Sequence, residues 1–436
     1  MRRSLFGKLP ALCAALCAAL LLAACAAGGP ASTAAPAAES APAQTAETPA
    51  PTETPAAAPA PTLAPAAAAP LHWVDAQNDA GRYEAEWDYN TDTVVARYLD
   101  FDTATEQIVG EPLELPNLNA DLFADDEYLY WFWSGMVSDT PVLLRSNLDG
   151  SGRAPLYEFP QGTSLAVWNS GFASDGGSLY FRYCQISDDP VVPDVYSLVR
   201  LAPEAQTLET LTTWSPFGGE LVGVWNDRLL ITRRTLAEDC PVVPVYGHYH
   251  VDNLNDLSDW MTTSLCALDP ATGEEEVLYE CSGSWLDRQL EDGALWRVNE
   301  RYEILYRPLG ENKDTMLTQL PQGMQFLNVY ATDVTFNSNE EERDWLYLYD
   351  RTTGSLTRSP RRRWLGGEDR AIWVVCEAGP GQYIVIDDAS AGMQAVADTD
   401  GNQYLIDGYA RYAIASRDAL LDDSIPLTPV TRPGTA

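Results

Sequence analysis

From Leu71 onward the chain repeats one short pattern, and a repeat that cannot bury itself alone forces a closed array. Each copy opens with an acidic or glycine-bearing turn before an aromatic strand: "DDEYLYWFW", "SDGGSLYFRY", "WNDRLLITRR", "EDGALWRVN", "GEDRAIWVV". A second strand follows and ends in a turn, as in "VLLRSNLDGSG", "YSLVRLAPEAQ", "SLCALDPATGE" and "WLYLYDRTTGS". A shorter strand closes the unit, as in "APLYEF" or "LETLTTW". Helical periodicity is hard to find; the alternation of β-branched and aromatic runs with Asp, Asn and Gly turns is hairpin grammar. The units fall at 71–117, 118–162, 163–216, 217–281, 282–323, 324–363 and 364–408. Most are about 40–55 residues long, the length of a four-stranded propeller blade. The expectation is an all-β protein, a β-propeller over 71–430 with seven blades; six or eight fit the imperfect first and last units. The stretch "GYARYAIASRDALL" is the candidate closing strand, expected to pair with the first blade, and 431–436 is a tail.

The run "LLRSNLDGSGRAPLYEF" followed by "SDGGSLYF" resembles TolB-like and YWTD-like propeller repeats, and the propeller domains of uncharacterised function in lipobox-bearing bacterial proteins. The YWTD tetrad itself is absent; "YLYW" and "SLYF" stand in its place. The resemblance implies a fold over nearly the whole body. It implies no activity, because propellers carry both enzymes and binders.

The N-terminus reads as targeting. Arg2, Arg3 and Lys8 precede an apolar stretch that is short for a membrane span, and Leu22-Ala23-Ala24-Cys25 looks like a bacterial lipobox. A signal peptide over 1–24, lipidation at Cys25 and a disordered Ala/Pro-rich linker over 25–70 are expected. The protein would then sit on the extracytoplasmic side of the cell membrane, lipid-anchored, as a monomer. The formal charge is −36; loss of the three signal cations gives −36 − 3 = −39 and leaves Lys313 as the only lysine. Nucleic acid and anionic lipid surfaces are poor partners for such a body. Protein, peptide and glycan ligands remain open.

Five cysteines follow Cys25, namely Cys184, Cys240, Cys266, Cys281 and Cys376, without CxxC spacing, so neither a disulfide framework nor a zinc ribbon is indicated. No GxSxG is present. Two of the three histidines, His248 and His250, fall in the longest interruption of the repeat, "AEDCPVVPVYGHYHVDNLNDLSDWMTT". A short helix is predicted from Asn255 to Met261, and Asp252, Asp256 and Asp259 are spaced for one helical face. With the histidines these aspartates form a chemically adequate divalent-cation set. A solvated loop tip accounts for the same residues, and no cofactor is required. Aromatics outside strands, Tyr246, Tyr249, Trp260 and Trp285, can serve as platforms for sugars or peptide side chains. The binding candidates are therefore Tyr246, His248, Tyr249, His250, Asp252, Asp256, Asp259, Trp260 and Trp285. "NLDGSG" and "DTDGN" are read as turns rather than calcium loops. Arg361–Arg363, with Arg358, is the one basic cluster. The functional expectation is a surface binding module; a hydrolase with its site at the central mouth and an envelope assembly factor are the alternatives.

Overall fold

The computed structural model describes residues 70–432 except 89–92, 115–119, 134–139, 166–170, 188, 190–191, 247–250, 284–287, 341–342, 366–367, 390–392, 398–402 and 408–410. Seven antiparallel sheets follow one another as the blades of a β-propeller. Blade two shows the pattern at its plainest: Ala120–Ala124, Tyr128–Trp133, Val142–Asn147 and Ala154–Glu158, each paired with the next. Blades four (Leu221–Ser282), five (Arg288–Gln319) and six (Met324–Arg358) repeat it.

Alternation explains why the strands stack. In Tyr128–Trp133, Tyr130 and Phe132 enter the cluster shared with blade three, which includes Phe172, Phe181 and Leu201. Leu129 and Trp131 point the other way, onto Tyr83, Val94 and Val109 of blade one. A strand buried on both faces needs apolar residues at every position, which is what "YLYWFW" supplies. Similar clusters join blades three and four, four and five, five and six, and six and seven. The last, with Cys376 and Ile384 against Leu99 and Phe101, joins blade seven to blade one and closes the ring.

Both chain ends take part in closure. Residues 71–78 form a strap along the innermost strand edges. The Leu71 amide donates to Asp227 Oδ1 of blade four at 3.1 Å. His72–Val74 pairs antiparallel with Phe172–Ser174, the inner strand of blade three. The Asp75 carbonyl accepts from the Ala124 amide of blade two, and the Ala76 carbonyl from Tyr83 of blade one, at 2.9 and 2.7 Å. Gln77 Nε2 reaches the Glu377 carbonyl of blade seven at 3.4 Å. Gly171 makes room for this path: it lies at φ +81°, and a Cβ there would collide with the Val74 carbonyl and the Trp73 ring. At the other end, Thr431 pairs with Thr105 on the outer strand of blade one. Arg432 then forms ion pairs with Glu106 and Glu86 at 2.7 and 2.8 Å.

The closing stretch differs from the sequence expectation. Arg411–Ser416 pairs with Gln382–Ala389, so it is the third strand of blade seven and not a partner of blade one. Arg417–Leu421 is a helix capped by Ser416, whose Oγ accepts from the Ala419 amide at 3.1 Å. Two hairpins, Arg362–Leu365 with Glu368–Ala371 and Met393–Ala397 with Gln403–Asp407, interrupt the repeat here. "NLDGSG" is a turn: the Gly150 amide donates to the Asn147 carbonyl at 2.8 Å. Asp398–Asn402 lies outside the described residues.

Candidate functional site: an acidic channel mouth

In each blade the turn joining the first and second strands emerges on one face of the ring, around the central channel. In blades two and three these turns are built by carboxylates. Asp125 Oδ1 accepts from the Glu127 and Tyr128 amides at 2.8 and 2.7 Å, and its Oδ2 accepts from the Tyr130 hydroxyl at 2.8 Å. Blade three repeats the device, with Asp175 accepting from Gly177, Ser178 and the Tyr180 hydroxyl. Burial, and then the Asp175 hydrogen bond, push the Tyr180 hydroxyl up to about 12, so it stays a donor at neutral pH. Blades four and five turn through Asn226-Asp227 and Asp292-Gly293, all at positive φ.

With those turns consumed by backbone, the remaining carboxylates face outward. Asp79, Asp126 and Glu127 are exposed and edge an open cavity of about 570 Å³. Its other walls include His72 and Trp73 from the strap, Tyr128, and the cation Arg145. Arg145 lies over the Tyr128 ring, 4.3 Å from its centroid.

Glu291, at the end of the first strand of blade five, sits in the field of Asp292, Glu377 and the strap's Asp75. Burial, then Asp292, raise its pKa from 4.5 to about 7; Arg351 opposes them. Arg351 is itself committed: it pairs with Asp292 at 2.8 Å, donates to the Tyr330 and Ala331 carbonyls, and stacks over Trp296. Burial also raises Asp75, against the amide of Gln77. Burial raises Glu377 as well, against the amides of Ala331 and Gly381.

A stability consequence follows. A raised carboxyl pKa gives the fold a contribution that is complete below the unfolded value of 4.5 and lost as pH rises through about 7. Glu291→Gln cannot ionise, so it is expected to melt above the wild type at about pH 8 and with it at about pH 4, a difference on the order of 1–2 kcal/mol after solvent screening. Melting curves at the two pH values check this; a difference that does not change with pH contradicts it.

The described sequence-predicted candidates lie on the opposite face, because the second-to-third-strand connection leaves from the other end of the blade. Tyr246, Asp252, Asp256, Asp259 and Trp260 belong to the insertion between Arg228–Leu236 and Met261–Leu268 of blade four. The predicted helix is shorter than expected: Leu254–Leu257 is α-helical and Ser258–Trp260 a 3-10 turn. His248, Tyr249, His250 and Trp285 lie outside the described residues. Among the described residues no group of three or more His, Cys, Asp or Glu side chains is placed to hold a metal ion. Cys184, Cys266 and Cys376 are buried free thiols. The basic run is spent internally. Arg361 donates to the Ala419 and Asp422 carbonyls, Arg362 pairs with Asp369 at 3.0 Å, and Arg358 and Arg362 both lie over Trp345.

Sequence reasoning named the central mouth only as the place of an alternative hydrolase site and picked out none of its residues. Asp75, Glu291 and Glu377 come from the strap and from blades five and seven, and no local spacing joins them. The signal present was the acidic character of the first turns, "DDEY", "SDGG", "WNDR" and "EDGA".

No protein-family model matches the chain, and no curated protein matches it. Among solved structures, TolB from Acinetobacter baumannii is similar at 14% identity, covering 70% of this chain and 66% of that one, with a TM-score of 0.32. An oligogalacturonate lyase from Vibrio parahaemolyticus is similar at 11% identity over 82% of this chain and 86% of that one, TM-score 0.39. A Mycobacterium tuberculosis puromycin-hydrolyzing peptidase is similar at 13% identity over 83% of this chain, TM-score 0.48; the match spans 53% of the peptidase.

Proposed function

We propose that this protein is an exported binding module, anchored by lipid on Cys25 and a long Ala/Pro-rich linker, whose channel mouth takes a cationic ligand such as the amines or guanidinium groups of a basic peptide. The observation that carries the reading is the mouth itself. An open cavity of about 570 Å³ is edged by Asp79, Asp126 and Glu127 and lies on the same face as Glu291, while Arg145 and Arg351 are both engaged. Carboxylates outnumber the one arginine among the cavity walls, and a net negative, partly enclosed surface concentrates counter-charged ligands.

Titration of a short oligo-arginine peptide tests it. The wild type should bind, weakening with salt. The double variant Asp126→Asn/Glu127→Gln should lose about thirtyfold, since each screened carboxylate is worth roughly 1 kcal/mol at contact. Equal affinity of wild type and variant would sink the reading. Glu291, ionising near neutral pH, is also the carboxyl best suited to acid–base work at this mouth. Turnover of a glycan or peptide that vanishes in Glu291→Gln would mark a hydrolase instead.

A further inference from the structure

The face opposite the mouth carries a surface of different chemistry. We propose that two stretches of the blade-four insertion, residues 237–246 and 251–260, form a docking surface for a partner protein that presents an apolar patch bordered by lysine or arginine.

The insertion is preorganised. Val251, Leu257 and Met261 are buried in a small core of their own, with Phe217, Leu236, Cys240, Val242 and Leu254 packed against it. Asn253 clamps the extended stretch before it: its Oδ1 accepts from the Val245 amide at 2.8 Å and its Nδ2 donates to the Val243 carbonyl at 3.0 Å. The Asp252 amide reaches the Val245 carbonyl, and the Ala237 amide the Trp260 carbonyl, at 2.8 and 2.9 Å. With Val242 turned into the core, this fixed backbone leaves Val243 78%, Val245 53%, Tyr246 40% and Trp260 38% exposed. Scattered exposed apolar residues need no explanation; four on two clamped stretches of one insertion do. Rigid aromatic and aliphatic groups are the type that anchor protein contacts at low entropic cost.

Charge decides the occupant. Glu238, Asp239, Asp252, Asp256 and Asp259 are exposed around these groups. No lysine or arginine occurs between Arg234 and Arg288. A second copy of this chain would bring the same carboxylates against themselves, and an anionic lipid surface would be repelled in the same way. A protein with basic residues around an apolar patch meets both requirements.

The probe is a short amphipathic peptide of leucine and lysine, compared with leucine–glutamate and glycine–lysine peptides of equal length. Hydrogen exchange on the full chain should show protection across 242–246 and 251–261 with the leucine–lysine peptide alone. The exposed-site variant Val243→Ser/Val245→Ser should weaken that binding by about tenfold, as should Asp256→Asn/Asp259→Asn. Asp126→Asn/Glu127→Gln on the other face should leave it unchanged, which separates this surface from the mouth. Four results would overturn the assignment. They are equal protection of the insertion by the glycine–lysine peptide, no protection of the insertion by the leucine–lysine peptide, no effect of Val243→Ser/Val245→Ser on that protection, or a concentration-dependent dimer that this variant abolishes.

Discussion

Asp333→Ala is expected to destabilise the propeller by about 3–5 kcal/mol, the cost of breaking a buried ion pair from one side. Asp333 is fully buried at the start of the second strand of blade six. Its Oδ1 accepts from Arg417 Nε at 2.8 Å, and its Oδ2 from the hydroxyls of Tyr383 and Thr332 at 2.6 and 2.8 Å. Tyr383 belongs to blade seven and Arg417 to the helix after its third strand, so one carboxylate ties two blades and the chain end together. Arg417 also pairs with Asp350 at 3.1 Å. Alanine would leave the Arg417 charge half-compensated and remove the Tyr383 hydroxyl's shortest bond. Urea unfolding measures the loss, and adding Arg417→Met isolates the pair. The double variant should cost less than the sum of the singles by at least about 1 kcal/mol. Additive singles would show that the two residues act independently.

Removing the strap is the second large effect. A chain whose body begins after Asn78 loses the buried Val74 and the part-buried Trp73, on the order of 3–5 kcal/mol of apolar burial. It also uncovers the inner edges of blades two and three, which are left as unpaired strand edges. Gly171→Val should reproduce part of this with the chain intact, because the new side chain and the strap contend for one place. In that variant, backbone amides of residues 71–78 should exchange and be cleaved faster while those of blade five hold. A truncated chain that melts with the full-length protein would show the strap to be a passive overlay.

How much of this was legible in the sequence depends on how local each feature is. The blades were readable because turn chemistry and strand alternation repeat within tens of residues, and "YLYWFW" could be assigned to the core from its two-faced apolarity. The strap was not readable. Leu71 and Asp227 are 156 positions apart, and "LHWV" looks like the start of any strand. "RYAIAS" was assigned to the wrong blade for a related reason: its alternation fits every blade, and only the pairing partner decides. The mouth is harder still, since among so many acidic residues only the ring's closure selects Asp75, Glu291 and Glu377. Arg361–Arg363 reads as a basic patch until its carbonyl and carboxylate partners are seen. The insertion was found, because a length anomaly in a regular repeat is visible without structure.

On the proposed reading, the acidic face around the channel binds the ligand. Hydrogen exchange of the full chain with and without a short oligo-arginine peptide tests it most directly. Protection is expected at residues 75–79, at the blade-two turn 125–128 and at 291–293, lost in Asp126→Asn/Glu127→Gln. Protection spread evenly over the outer strands, or none at these turns, would contradict it.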